Sequence, residues 1–80
     1  MNEDKVYFTS DFYTAAVLIA QGFEVIDVTS SPKDSRVKLF HFNDSDELRN
    51  TRMAYANGKL EGNLKKFKQA IDEVKTLIHQ

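Results

Sequence analysis

The chain of 80 residues lacks cysteine and tryptophan, and it has one proline and three glycines. Because there is no cysteine, disulfide bonds, thiolate metal sites and cysteine nucleophiles are excluded, and the composition fits a reducing compartment. Three glycines are too few for a glycine-rich phosphate-binding loop. The fold therefore depends on a hydrophobic core, and any function depends on ordinary polar, charged and aromatic side chains.

A secretory signal and a membrane-spanning segment are also missing from the sequence. The chain begins MNEDKVYF, with acidic residues where a signal would have basic residues before a long apolar run. The most apolar stretch, residues 11–23, is far shorter than the roughly 20 apolar residues that cross a bilayer. We therefore expect a cytoplasmic protein without a membrane partner.

Neither sign of charge is in large excess, since the net charge is −1. With 41% hydrophobic and 29% charged residues, the composition is that of a soluble globular domain. The charge is unevenly placed. Residues 1–45 hold four Lys/Arg and seven Asp/Glu, a balance of −3, whereas residues 46–80 hold seven and five, a balance of +2. The second half is therefore the better candidate for contact with an anionic partner.

The stretch DFYTAAVLIAQGF, which begins at Asp11, organises the chain. Thr9 or Ser10 can cap the first helical turn with a hydroxyl, and Asp11 adds a carboxylate at the positive end of the helix dipole. Gly22 can adopt the left-handed conformation that ends a helix. The pattern predicts a helix from about Asp11 to Gln21, which is apolar around most of its circumference and therefore belongs to the core.

Three segments rich in β-branched and aromatic residues predict strands. They are KVYFT at residues 5–9, FEVIDVT at residues 23–29 and RVKLFHF at residues 36–42. The adjacent Val25 and Ile26 break the alternation of the second strand, which predicts either a bulge or burial on both faces. The polar run TSSPKDS, residues 29–35, predicts the tip of a hairpin formed by the second and third strands.

Two more helices are predicted in the second half of the chain. Asp44 as N-cap with Glu47 three residues later is similar to a capping box and predicts a helix over about residues 46–56. Asn63 can cap a third helix that extends to about Ile78. Its apolar stripe and outward lysines are typical of an amphipathic helix that packs on a core.

The element order β-α-β-β-α-α predicts one small α+β domain over residues 1–80, with residues 1–4 frayed. With a right-handed β-α-β crossover, the first and second strands are parallel and the third can lie between them, antiparallel to both. The central helix and the long C-terminal helix are expected on one face of this three-stranded sheet. Its two open edges favour pairing with a second copy of the chain.

Two runs of the sequence carry a family resemblance, YFTSDFYTAAVLIAQGFEV from Tyr7 and KLEGNLKKFKQAIDEVK from Lys59. They resemble a family of short uncharacterised domains of bacteria and their phages. Members of that family open with an aromatic residue, Thr/Ser-Asp, an aromatic residue, Ala-Ala, Leu, Ala and Gly, and they continue with a hairpin and a Lys/Arg-bearing helix. The resemblance covers nearly the whole chain. It implies no established activity, but it implies a phage or mobile-element setting.

The sequence motifs of common enzymes are absent, including the His-x-x-x-His pair and the Gly-x-Ser-x-Gly elbow. His41 lies in a predicted strand and His79 near the last residue, so they offer no local pair of metal ligands. Ser10 and Asp11 are better explained as capping residues than as a nucleophile and an acid, because no base is adjacent. We therefore expect a non-enzymatic protein without a catalytic site, a metal site or a cofactor.

The first candidate binding surface is aromatic and would contact a protein partner or a second copy of the chain. It consists of Tyr7, Tyr13, Phe40 and Phe42. Strand alternation places Phe40 and Phe42 opposite Leu39 and His41, so both sheet faces carry apolar groups. One face packs against the helices, and the other is either a partner surface or is covered within the monomer.

The second candidate surface is basic and would bind nucleic acid or a nucleotide. It consists of Arg49, Arg52, Tyr55, Lys59, Lys65, Lys66 and Lys68, since Arg and Lys contact phosphates and Tyr stacks on bases. These residues form one face if the second and third helices pack side by side; otherwise the lysines only solvate a helix and Tyr55 belongs to the core. Because a net charge of −1 weakens binding to a polyanion, the leading hypothesis is an oligomeric protein-binding or adaptor domain, and nucleic-acid binding is the alternative.

Overall fold

The computed structural model of the protein describes residues 5–79. Its elements in chain order are β1 (Val6–Thr9), α1 (Phe12–Ala20), β2 (Val25–Ser30), β3 (Lys38–Asn43), α2 (Asp46–Ala56) and α3 (Leu64–Ile78). The predicted α+β order is confirmed. The expected fraying of residues 1–4 falls outside the described residues.

The three strands form one sheet in the order β1-β3-β2, with β3 antiparallel to both neighbours. The chain leaves β1, crosses through α1 and returns in β2 parallel to β1, and β3 then fills the gap between them. The predicted position of the third strand is confirmed. The register shifts between Val25, which faces Phe42, and Asp27, which faces His41. Of the two predicted alternatives, the structure therefore has the bulge, at Ile26.

The helix α1 begins one residue later than predicted, because Asp11 is its N-cap. The Asp11 carboxylate accepts hydrogen bonds from the backbone N–H and the hydroxyl of Thr14. The prediction that Thr9 or Ser10 caps the first turn is wrong. Instead, the Thr9 hydroxyl accepts a hydrogen bond from the Asp11 backbone N–H at 3.1 Å, which fixes the capping residue itself.

A Schellman motif ends α1. The backbone N–H of Gly22 donates to Ile19 at 3.0 Å, and that of Phe23 donates to Leu18 at 2.9 Å. This geometry requires the positive φ of Gly22, +100°, which glycine adopts without steric strain. The predicted helix end at this glycine is confirmed.

We expect Gly22→Ala to lower the free energy of unfolding by about 1–2 kcal/mol, because an L residue is strained at positive φ. An added Cβ would meet no atom within 4 Å, so the effect isolates the backbone strain. Urea denaturation measures it. A synthetic chain with D-alanine at position 22 is the control and should keep the stability of the glycine protein, since a D residue favours positive φ; equal losses for both alanines would contradict the prediction.

The helix α2 is capped by Ser45, not by Asp44. The Ser45 hydroxyl accepts a hydrogen bond from the backbone N–H of Leu48 at 3.0 Å. The predicted capping box of Asp44 and Glu47 is therefore wrong. The Asp44 carboxylate instead accepts from the Ser45 backbone N–H at 2.9 Å and lies 3.5 Å from the Arg49 guanidinium, so it stabilises the turn one residue before the cap.

One hydrophobic core lies between the sheet and all three helices. Its buried members are Ala15, Ala16 and Leu18 of α1, Phe40 and Phe42 of β3, Leu48 of α2, and Ala70 and Val74 of α3. The helix α1 packs against both α2 and α3. The prediction that α1 and α3 cover one sheet face, with α1 as the core helix, is confirmed, and α2 adds Leu48 to the same core.

The described chain forms two layers, one of helices and one of sheet. Its Cα atoms span 34 × 33 × 19 Å, and the shortest dimension matches one sheet with one layer of helices on it. Within residues 5–79, all helices lie on the side of Phe40 and Phe42. The opposite side of the sheet is therefore left uncovered by this part of the chain.

Candidate functional site

The uncovered side of the sheet is the first candidate for function, and we call it the open face. Side chains alternate along a strand, so Leu39 and His41 of β3 point away from the helices that cover Phe40 and Phe42. Directly opposed residues of antiparallel strands share a face. The open face therefore consists of Val6, Phe8, Asp27, Thr29, Leu39, His41 and Asn43.

The open face is apolar where it is most exposed. Phe8 is 56% exposed and Val6 46% exposed, and both lie on the edge strand β1. The rings of Phe8 and His41 are 5.6 Å apart between centroids, so they form one aromatic surface across two strands. Ile26 at the bulge and Val37 just before β3 add exposed apolar area at the border.

Charge is scarce on the open face. Asp27 is its single ionised side chain, and its register partner is His41. The His41 Nε2 atom lies 2.9 Å from the Thr29 hydroxyl, so this polar group has a partner within the face. The face therefore offers an aromatic, nearly uncharged contact surface with its histidine held in place.

None of the four residues of the predicted aromatic interface lies on the open face, so the prediction of which residues form it is corrected. Phe40 and Phe42 are 1% and 0% exposed, because their side of β3 is the side that the helices cover. Tyr7 is half-buried on that same side, and Tyr13 is exposed on α1. Sequence reasoning missed Phe8. The signal that identifies its face is His41, the polar member of the run LFHF.

Two residues of the predicted basic surface form ion pairs with neighbouring carboxylates. The Arg49 guanidinium lies 3.5 Å from the Asp44 carboxylate and 3.3 Å from that of Asp46. On α3, the Lys68 ammonium lies 3.2 Å from the carboxylate of Asp72. Two of the six positive charges of the predicted surface, those of Arg49 and Lys68, are thus balanced locally.

The helices that carry the basic residues do not pack side by side. Both contact α1, and any contact between α2 and α3 is marginal. The condition for one shared basic face is therefore not met. Lys65 and Lys66 are exposed on α3 and Lys59 is exposed in the preceding loop, while Tyr55 is 38% exposed rather than part of the core.

Arg52 differs from the other basic residues because it lies against an aromatic ring. Its guanidinium carbon is 4.0 Å from the centroid of Tyr7, a cation–π contact between α2 and β1. Tyr7 points to the helix side of the sheet, so this contact is on the side opposite to the open face. The structure thus brings Arg52 of the predicted basic surface together with Tyr7 of the predicted aromatic interface, away from the open face.

In the described part of the chain, the side chains do not meet the requirements of a metal site. No group of three or more His, Asp or Glu residues there could hold a metal ion. The pKa of Asp34 is lowered by hydrogen bonds from the side chain and the backbone N–H of Arg36, but this pair lies exposed at the hairpin tip. Among residues 5–79, no helix has the length and apolar character to span a bilayer.

Comparison with known proteins identifies a family without assigning an activity. No curated protein and no solved structure matches the chain. Residues 4–80, which include every element of the sheet and the helix layer, match the family described as a domain of unknown function, DUF5659. The chain therefore belongs to the DUF5659 family.

Proposed function

We propose that the protein is a non-catalytic binding domain that self-associates by packing the open face of one copy against that of another. The observation that carries this proposal is Phe8, an aromatic side chain 56% exposed on an uncovered and nearly uncharged sheet face. An antiparallel sheet with one solvated face usually carries polar residues there. Val6, Phe8 and Leu39 depart from that pattern.

Burial of this face is favourable because apolar area leaves water. Complete burial of a Phe or Leu side chain contributes about 1.5–3 kcal/mol, and stacked sheets lie about 10 Å apart, which lets side chains from two faces interdigitate. Phe8 stands at the sheet edge beside His41, so it can reach across such an interface. A protein contact on this face therefore removes the exposed Phe8 ring from water.

A second copy fits this face better than a charged partner does. The face has one carboxylate, that of Asp27, and no exposed cation, so it offers little to steer an ionic partner. In a dimer with two-fold symmetry, both copies contribute the same surface to the interface, so the apolar residues of one copy face those of the other. Self-association is therefore the contact that uses the whole face.

The size of the face sets the expected affinity. Three strands spaced about 4.8 Å apart and about 20 Å long give an area on the order of 300 Å². Stable complexes bury about 800 Å² per partner, so this contact is expected to be weak and concentration-dependent.

Sedimentation equilibrium over a wide concentration range tests the proposal. We expect a monomer–dimer equilibrium that Phe8→Ser weakens by about tenfold or more, because the variant removes an aromatic side chain from the interface. Tyr13→Ser is the matched control, since Tyr13 is 55% exposed but lies on α1. That variant should associate like the unchanged protein.

Two results would overturn the self-association proposal. One is a monomer at every concentration, and the other is an equal effect of Phe8→Ser and Tyr13→Ser. Measurements at low and high salt, with and without a short mixed nucleic acid, separate the alternative function. A mass increase that requires both nucleic acid and low salt would favour the basic residues of α2 and α3 instead.

The cellular setting is part of the same proposal. The resemblance to short bacterial and phage domains supports a phage or mobile-element role, and the lack of cysteine supports a reducing cytoplasm. In that setting a weakly self-associating domain acts as an adaptor whose assembly depends on its concentration.

A further inference from the structure

A notch on the helix side of the molecule lies between β1, α1 and α2, away from the open face. Its volume is about 310 Å³. Its lining residues are Tyr7, Thr14, Arg52, Met53, Tyr55 and Ala56. The notch thus combines two tyrosines and an arginine with apolar walls, which is the composition of a small-ligand site.

Arg52 is the unusual member of this group. Its side chain is half-buried against the Tyr7 ring, and among the described residues it makes no ion pair and no hydrogen bond to an acceptor. Arg49, one turn earlier on the same helix, lies close to two carboxylates. A guanidinium always carries its charge and has five N–H donors, so an oxyanion in the notch would give these donors an acceptor in place of water.

The surroundings of Arg52 indicate which kind of ligand group could accept its hydrogen bonds. The contact with Tyr7 at 4.0 Å restrains the guanidinium, whose fork of N–H donors can bind a carboxylate or phosphate in bidentate fashion. Tyr55 and Met53 line the same notch and offer flat or flexible apolar contacts to an attached ring. We propose that this notch binds a small aromatic oxyanion of about mononucleotide size.

Size and charge exclude a polymer from this site. A volume of about 310 Å³ is at the lower end of the range for small-molecule pockets, roughly 300–1,000 Å³. One cation lines the notch, and a carboxylate is nearby, since Asp11 accepts a hydrogen bond from the lining residue Thr14. The site therefore suits one oxyanion group, bound weakly, rather than a chain of phosphates.

Ligand titration followed by amide NMR tests this inference, with three probes: adenosine 5′-monophosphate, benzoate and adenosine. We expect the two oxyanions to shift the resonances of Tyr7, Arg52 and Tyr55, with a dissociation constant on the order of 1 mM for the better one. Adenosine, which has a ring but no oxyanion, should bind at least about tenfold more weakly. The better oxyanion identifies the ligand as a phosphate or a carboxylate.

Two matched arginine variants separate this site from general electrostatics. Arg52→Lys should weaken binding of the better oxyanion by about tenfold or more, because lysine keeps the charge but loses the bidentate fork. Arg49→Lys makes the same change three residues earlier in an exposed ion pair, and it should alter affinity by less than about twofold. The amide spectrum of each free variant verifies that it remains folded.

Three results would overturn the proposed site: no shift with either oxyanion, equal affinity for adenosine and its monophosphate, or equal losses for the two arginine variants. The outcome does not depend on self-association. Tyr7 and Phe8 are adjacent in β1 but point to opposite sides of the sheet, so Phe8→Ser should bind the oxyanion normally.

Discussion

Phe42→Ala is expected to lower the free energy of unfolding by about 3–5 kcal/mol, and Phe8→Ala by less than about 1 kcal/mol. Both residues are phenylalanines on the same three-stranded sheet. Phe42 is 0% exposed in the core, whereas Phe8 is 56% exposed on the open face. Truncation of Phe42 removes buried apolar area and leaves a cavity between β3 and the helices, whereas truncation of Phe8 leaves no cavity.

The size of this effect matters because the domain is small. A chain of 80 residues is expected to have a free energy of unfolding of about 4–12 kcal/mol. Truncation of Phe42 therefore removes a large fraction of that free energy. Urea denaturation followed by circular dichroism, at concentrations where the protein is monomeric, measures both variants. Similar losses for Phe8→Ala and Phe42→Ala would mean that the sheet has no uncovered face, and the proposed self-association would lose its basis.

Leu48→Ala is the second substitution with a large expected effect, a loss of about 2–5 kcal/mol. Leu48 is the single buried residue of α2 and is 0% exposed. It therefore anchors α2 to the core, while the other residues of this helix contact solvent or line the notch. Removal of its side chain should weaken the attachment of the whole helix.

The effect of Leu48→Ala should extend to the oxyanion site. Arg52 follows Leu48 by one helical turn, and its contact with Tyr7 depends on the position of α2 on β1. Hydrogen exchange should therefore show faster opening of α2 than of α1. Met53→Ala is the control on the same helix, since Met53 is 64% exposed and its truncation should cost less than about 1 kcal/mol. Equal losses for the two variants would contradict an anchoring role for Leu48.

The two proposed activities use opposite sides of β1. Phe8 contributes to the open face, and Tyr7 supports the Arg52 guanidinium under α2. The four-residue strand β1 thus has the proposed self-association surface on one side and the proposed ligand notch on the other. Substitutions at neighbouring positions of this strand should affect one activity and leave the other unchanged.

Local sequence patterns determined most of the secondary structure. Gly22 ends α1 and Asn63 caps α3 because capping and helix termination depend on residues within one turn. The adjacent apolar residues Val25 and Ile26 indicated an irregular strand, but the structure was needed to decide for a bulge over burial on both faces. The predicted N-caps differ from the observed ones, Asp11 and Ser45, by one or two residues. The reason is that several neighbouring side chains can accept hydrogen bonds from the same backbone N–H groups.

The observed strand order β1-β3-β2 is one that a β-α-β crossover followed by a hairpin allows. The different surroundings of Arg49 and Arg52 could not be predicted from the sequence. Both are arginines on α2, but one lies beside carboxylates and the other beside the ring of Tyr7, which is 45 residues earlier in the chain. Such partners are set by how the helices pack on the sheet.

The sequence by itself determined that both faces of β3 would carry apolar side chains, since Phe40 and Phe42 alternate with Leu39 and His41. Only the tertiary structure decided that the helices cover the phenylalanines. Strand periodicity separates the two sets but does not say which one faces the helix layer. That choice depends on the combined fit of α1, α2 and α3 against the sheet, which buries the larger Phe40 and Phe42 and leaves Phe8 and His41 on the open face.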